Sequence, residues 1–251
     1  MYPFGIIFRG TIVMRTLFGK SAIAAVLTAS AGAHAENVGI SAGAFYTPAL
    51  ATALTAHGNH VSTVDWYNDH VLSGYDVYIQ DGSSYANAAA LDRFVYNGGT
   101  LIQLPWSFTH VSFTENTAVF GPRWSGTMRE ANPAIDVLAT DDWLLQGVTL
   151  PAAGTQTIGR EVGNEFVEGA TPVLAWEDGT ALLGYRRYGA GLVVGFDVHL
   201  TTSDASPLSS DWSNRVVFNA VNGVSAVPEP STWVMLAVGT GVLFLRRRHP
   251  E

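Results

Sequence analysis

Apolar residues recur along the chain in two alternating rhythms. Short strand-like runs stand at 38–41, 61–66, 75–80 and 100–104. Between them lie segments with one apolar helical face. Thr47-Pro48 reads as an N-cap followed by proline at the first helical position, and Leu50, Ala51 and Leu54 form a face that ends near Gly58. A second helix is predicted over 86–97, with Leu91, Phe94 and Val95 on one side and Gly98-Gly99 as its stop. Strands and helices alternating at this spacing imply right-handed crossovers, and therefore a parallel sheet covered on both faces. The first strand is expected between the second and third.

The second half has a different rhythm. Runs at 172–177, 181–187 and 191–198 are separated by Asp178-Gly179 and Gly189-Ala190-Gly191, both hairpin-type turns, so these strands should be antiparallel. A last helix is predicted over 211–222, opened by Asp211 and closed by Gly223. The stretch 107–162 is punctuated by Gly and Pro and has no assignable period. The expected fold is a flavodoxin-like, doubly wound α/β sheet, mostly parallel, with antiparallel hairpin strands in its C-terminal half.

The two ends read as addresses. From Met14 the chain runs Met-Arg-Thr-Leu-Phe-Gly-Lys, then an apolar stretch over 21–28, then Ala33-His34-Ala35. A basic start, a short apolar core and an Ala-x-Ala site make a secretory signal peptide, and cleavage after Ala35 leaves Glu36 as the first mature residue. Residues 1–13 read as an upstream extension; an uncleaved N-terminal anchor is the alternative. At the other end, Pro228-Glu229-Pro230 precedes an apolar segment over 231–245, closed by Arg246, Arg247 and Arg248. This resembles the PEP-CTERM sorting signal of Gram-negative bacteria, which implies recognition by an exosortase-type sorting protease. The two prolines keep 228–230 extended and open to a protease. As a helix, 231–245 spans about 22 Å, short of the ~30 Å bilayer core. Trp233 and snorkelling arginines make up the difference, with the arginines cytoplasmic. A C-terminal anchor that is never processed is the alternative.

The expected organisation is therefore a signal peptide over 1–35, an α/β domain over 36–225, and a sorting signal over 226–251 with one transmembrane helix. The Sec translocon, signal peptidase and the membrane are the implied partners. The chain should be exported, held transiently in the inner membrane, then passed to the cell envelope, cell surface or medium.

Charge and composition narrow the chemistry. Residues 36–225 hold seven Arg, no Lys and 19 acidic residues, and a domain that acidic repels phosphate backbones. No nucleic-acid partner is expected. The chain has no cysteine, which excludes disulfides, thiolate catalysis, zinc–thiolate sites and iron–sulfur clusters. His57, His60, Asp65 and His70 lie close together in sequence and suit zinc by type. His57 and His60 straddle the expected helix end at Gly58, however, so they read as surface histidines. No metal or cofactor is expected.

Three stretches carry a family resemblance. They are Tyr75-Asp76-Val77-Tyr78-Ile79 with Asp81-Gly82, then Leu91-Asp92-Arg93-Phe94-Val95 running into Gly98-Gly99-Thr100-Leu101-Ile102, and 183–196. The pattern resembles the class I glutamine amidotransferase-like superfamily, in particular its trehalose-utilisation (ThuA-like) branch. The resemblance implies a nucleophile elbow after the fourth strand, where the family carries cysteine. Here Leu104 or Pro105 stands nearest that place. Pro-Trp-Ser-Phe-Thr offers none of the small neighbours a strained elbow needs. Glutamine hydrolysis is excluded.

Three functional readings follow. In the leading one the domain is catalytically degenerate and binds a ligand or partner at the carboxyl edge of the sheet. Phe45, Tyr46, Asp81, Ser83, Tyr85 and Trp106 would line that edge, with Phe108 beside them. PEP-CTERM proteins accompany exopolysaccharide production, so the resemblance implies a saccharide. In the second reading, Ser107, His199 and Asp204 or Asp197 form a hydrolytic triad. In the third, the chain is a structural surface or biofilm-matrix protein, with the aromatic residues packed under loops.

Overall fold

Ten strands and four α-helices form among the described residues of the computed structural model, which are 35–41, 47–64, 71–80, 87–110, 113–121, 126–200 and 211–223. In chain order they are β1 (Asn37–Ser41), α1 (Thr47–Ala56), β2 (His60–Val64), β3 (Val77–Gln80), α2 (Ala88–Tyr96), β4 (Thr100–Gln103) and α3 (Ser107–His110). Then follow β5 (Gly126–Ala131), β6 (Ile135–Val137), β7 (Thr157–Val162), β8 (Thr171–Trp176), β9 (Ala181–Tyr188), β10 (Gly191–Phe196) and α4 (Asp211–Asn222).

Eight strands make one mixed sheet in the order β2-β1-β3-β4-β10-β9-β8-β6. The first five are mutually parallel and follow the flavodoxin-like order. β1 lies between β2 and β3, as the pattern predicts. The remaining three pair antiparallel, β9 and β8 through the two hairpins also read from the sequence and β6 on the outer edge of β8.

Strand alternation divides the side chains between two cores. Val38, Ile40, Val77, Ile79, Ile102 and Val194 face α1 and α4, where Leu50, Leu54, Val216 and Val217 meet them. Tyr78, Leu101 and Val193 point the other way, against Leu91, Phe94 and Val95 of α2. Helices therefore cover both faces. The α2 helix begins two residues later than its apolar period suggests, because Asn87 caps it: the Asn87 Oδ1 accepts the Ala89 N–H at 3.0 Å. Where β10 starts, a Cβ on Gly191 would collide with the Val95 carbonyl oxygen, so only glycine lets the strand pass the end of α2.

The unassigned stretch 107–162 holds what the periodicity missed. β5 and β7 form a separate antiparallel ribbon, and β6 adds the edge strand beside β8. None of the β5 side chains is fully buried, so it lacks the in–out alternation that marks a strand in sequence. Among the described residues no helix is long and apolar enough to cross a membrane. The helix expected over 231–245 lies outside them, as do 1–34 and the rest of the tail.

Candidate functional site

The sharpest local feature of the domain follows β4. Leu104 and Pro105 are buried, the chain turns at Trp106, and Ser107 opens α3. Trp106 has φ 70° and, among the described residues, is the only one other than glycine with positive φ. A bulky side chain there costs about 1–3 kcal/mol and persists only where its surroundings hold it. A strand, a left-handed residue and a helix start make the geometry of a nucleophile elbow. The elbow residue is therefore Trp106, which corrects the expectation of Leu104 or Pro105.

Long-range contacts, rather than small neighbours, hold this turn. The Trp106 N–H donates to Oε1 of Glu161 at 2.5 Å. Ser107 closes the turn from inside: its hydroxyl and its N–H both donate to the Leu104 carbonyl. Pro105 fixes the backbone dihedral just before the turn.

Behind the elbow lies a buried polar cluster. Glu161, on β7, and Asp197, just past β10, are both fully buried. Oδ1 of Asp197 accepts the Glu161 N–H at 2.9 Å. Asn164 donates to the second Glu161 oxygen at 3.4 Å. The His199 N–H donates to the Gly159 carbonyl at 2.8 Å, so β7 ties the end of β10 to the elbow. The His199 ring stands edge-on to Trp106, with centroids 5.5 Å apart at 78°. Burial holds this imidazole neutral, with its pKa lowered to about 4. Burial pushes the Asp197 carboxyl well above the ordinary carboxylate range, and the neighbouring Glu161 charge adds to the rise.

One further charge anchors the cluster from outside. Arg160 is 4% exposed; its Nε meets Glu130 and its Nη2 meets Asp178, each at 2.8 Å. The guanidinium lies 5.4 Å from the centre of the Trp176 ring. Arg160 thus fastens the β5–β7 ribbon to the β8–β9 turn, and its neighbour Glu161 reaches the elbow. Periodicity could not find these two residues, because the contacts to Trp106, Glu130 and Asp178 that define their roles span 18 to 55 positions.

The other predicted residues fall as follows. Trp106 is half-buried at the elbow, whereas Phe108 packs against Phe120, with centroids 4.8 Å apart. Ser107 is fully buried. Phe45, Tyr46, Asp81, Ser83, Tyr85 and Asp204 lie outside the described residues, as do Asp65, His70 and Ala33. The His57 ring lies tilted against Phe218, with centroids 3.9 Å apart at 53°, and His60 opens β2 at the surface. Pro228, Glu229, Pro230 and Arg246 to Arg248 are likewise outside.

A polar edge lies at the amino ends of the strands, opposite the elbow. There a cavity of about 490 Å³ is lined by Asn37, Asn59, His60, Ser62 and Tyr75, among others.

Comparison with known proteins bears on the tail and on the fold. Residues 226–248 match the PEP-CTERM protein-sorting motif. No curated protein matches the chain. Among solved structures, a cytoplasmic protein of Salmonella typhimurium superposes with a TM-score of 0.55 at 12% identity, covering 74% of this chain and 97% of its own. PurLQS of Thermotoga maritima gives a TM-score of 0.52 at 14% identity, covering 75% of this chain and 98% of the other. At these identities the likeness is one of fold. The central domain shares the mixed α/β fold of these structures, and the chain carries a PEP-CTERM motif, which implies export and sorting in the cell envelope.

Proposed function

We propose that this protein is an exported, envelope-sorted, catalytically degenerate member of the ThuA-like branch, and that Trp106 anchors a ligand or partner at the carboxyl edge of its sheet. The observation that carries this reading is the elbow. The place a nucleophile would occupy holds an indole, which has no hydroxyl or thiol to attack a carbonyl but has a large face for stacking. The strain is maintained by Glu161 and Ser107, as in a built site. Neutral His199 beside it adds a polar group without charge. Stacking next to uncharged polar groups suits a saccharide, the class the sorting signal also suggests. Phe45, Tyr46, Asp81, Ser83 and Tyr85 are proposed as the rest of the edge.

The hydrolytic alternative has less support, because the Ser107 hydroxyl is buried and already given to the Leu104 carbonyl. A purely structural surface role would need no strained aromatic at the sheet's carboxyl edge. Trp106→Ala is expected to leave the domain folded and to weaken ligand binding by about 1–3 kcal/mol. Saccharide titration followed by tryptophan fluorescence measures this. Silence across a broad panel would remove the sugar, and unfolding of the variant would make Trp106 a core residue.

In this reading the leader over 1–35 directs the chain through the Sec translocon to signal peptidase. The domain over 36–225 then folds outside the cytoplasm, the helix over 231–245 holds it in the membrane, and an exosortase-type protease acts near Pro228-Glu229-Pro230. Replacing Glu229 should block that processing and leave a larger membrane-bound species. Mass spectrometry that finds the mature wild-type protein intact through Glu251 would count against it.

A further inference from the structure

A cavity of about 350 Å³ opens between the end of α1, the 3₁₀ turn Trp143–Leu145 and the C-terminal half of α4. It shares no residue with the elbow and stands apart from the reading given there. Its size falls in the range of small-ligand sites, about 300–1,000 Å³. Trp143 and the packed ring pair of Phe218 and His57 supply its apolar lining. The Trp143 ring lies across the end of α4, where a Cβ on Gly223 would collide with it.

The polar lining is held as firmly. Asp142 caps the turn by accepting the Leu144 N–H at 2.9 Å, and Leu144 is fully buried. Asn219 donates from Nδ2 to the carbonyls of Leu144 and Gln146, each at 2.9 Å. Arg215 donates from Nε to the Gln146 carbonyl at 3.2 Å. Gly147, with φ 69°, carries the chain past the guanidinium, where a Cβ would stand 3.3 Å from Nη2. α4 thus fixes the turn, and the turn fixes Arg215.

These bonds decide what the cavity offers a ligand. Both Nδ2 protons of Asn219 are taken, and Asn222 gives its Nδ2 to the Phe218 carbonyl at 3.0 Å, so each amide keeps its oxygen as an acceptor. Arg215 keeps both Nη groups, and among the described residues no carboxylate pairs with it. The matching ligand brings hydroxyl donors for the amide oxygens, a carboxylate for the guanidinium fork and a flat C–H face for the rings. A uronate-type sugar carries all three on one ring. A neutral sugar lacks the anion, and an aromatic acid lacks the hydroxyls. We infer that this cavity binds an acidic saccharide, its carboxylate on Arg215 and its ring face on Trp143. The net negative charge of the domain does not oppose this at contact range, because physiological salt screens distant charges within about 8–10 Å.

The test is isothermal titration calorimetry of the full chain in detergent micelles with methyl glucuronide, methyl glucoside and benzoate. The two sugars differ only in a carboxylate for a hydroxymethyl group, and benzoate keeps a ring and a carboxylate without any hydroxyl. Methyl glucuronide should bind at least about tenfold more tightly than either, as a charge-assisted hydrogen bond predicts. Two variants at exposed side chains place that preference in the cavity. Arg215→Gln removes the guanidinium, and Gln146→Glu, an isosteric change, adds a competing carboxylate to the same lining. Both should bring methyl glucuronide down to the level of methyl glucoside; should Arg215→Gln fail to fold, Gln146→Glu decides. No binding of methyl glucuronide by the wild type, or equal binding of the two sugars, would overturn the proposal. So would benzoate binding as tightly as methyl glucuronide, which would make this a site for aromatic acids. A preference that survives in Gln146→Glu or in folded Arg215→Gln would overturn it too, by placing the sugar elsewhere on the chain.

Discussion

Arg160→Ala is expected to destabilise the domain by about 2–4 kcal/mol, seen as a fall of roughly 1 M in the urea midpoint. The variant loses two charge-assisted hydrogen bonds and the packing of the guanidinium on Trp176. It also leaves Glu130 and Asp178 facing each other without their cation. The carboxylates are 28% and 39% exposed, so water reaches them and the loss should fall below that of a fully enclosed pair. Replacing all three, as Glu130→Gln, Arg160→Met and Asp178→Asn together, should recover much of the deficit, because no uncompensated charge remains. A change below about 0.5 kcal/mol for Arg160→Ala would show that the clamp contributes no more than an exposed ion pair.

Acidification should unfold the domain through His199. The imidazole is held neutral to about pH 4 in the folded protein, against an ordinary value of 6.5. Between those values the unfolded chain binds the proton and the native one does not. The histidine's contribution is thus fully present above pH 6.5 and is lost as the pH falls through 4, by roughly 3 kcal/mol in total. Asp197 works in the opposite sense. Its folded pKa is raised, so its contribution is present in acid and is lost as the pH rises through that folded value. Comparison with His199→Gln isolates the histidine, since Asp197 titrates in both proteins. From pH 7.5 to 4.5, wild type should lose roughly 2–3 kcal/mol more stability than the variant in urea titrations. Parallel pH profiles would mean that His199 takes up its proton without unfolding the site.

These two effects meet at one place. Arg160 and Glu161 are consecutive on β7; one grips the outer turn and the other the elbow. Loosening the clamp should therefore also change the environment of Trp106, carried to it along the backbone of β7.

What the sequence alone determined are the features whose cause is local. The order β2-β1-β3-β4 follows from strand and helix periods and from the handedness of crossovers. The β8–β9–β10 hairpins follow from Asp178-Gly179 and Gly189, whose positive φ of 84° at Gly179 and 59° at Gly189 the turns require. The limits of α4 were readable because Asp211 and Gly223 bracket an amphipathic run. The sorting motif was readable because proline, an apolar run and arginines act in linear order, without a fold around them.

Tertiary structure alone decided the elbow and the ribbon beneath it. Pro-Trp-Ser has no local preference for a left-handed tryptophan. The conformation exists because Glu161, 55 residues away, accepts the Trp106 N–H and Ser107 ties back to Leu104. β5 buries too little to leave a period, β7 buries charged Arg160 and Glu161 where a period would need apolar residues, and the two become strands by pairing with each other. The buried carboxyls of Glu161 and Asp197, the neutral histidine and the enclosed arginine arise the same way. In sequence they are ordinary charged residues, and only the closing of β7 over the end of β10 removes them from water and gives them these properties.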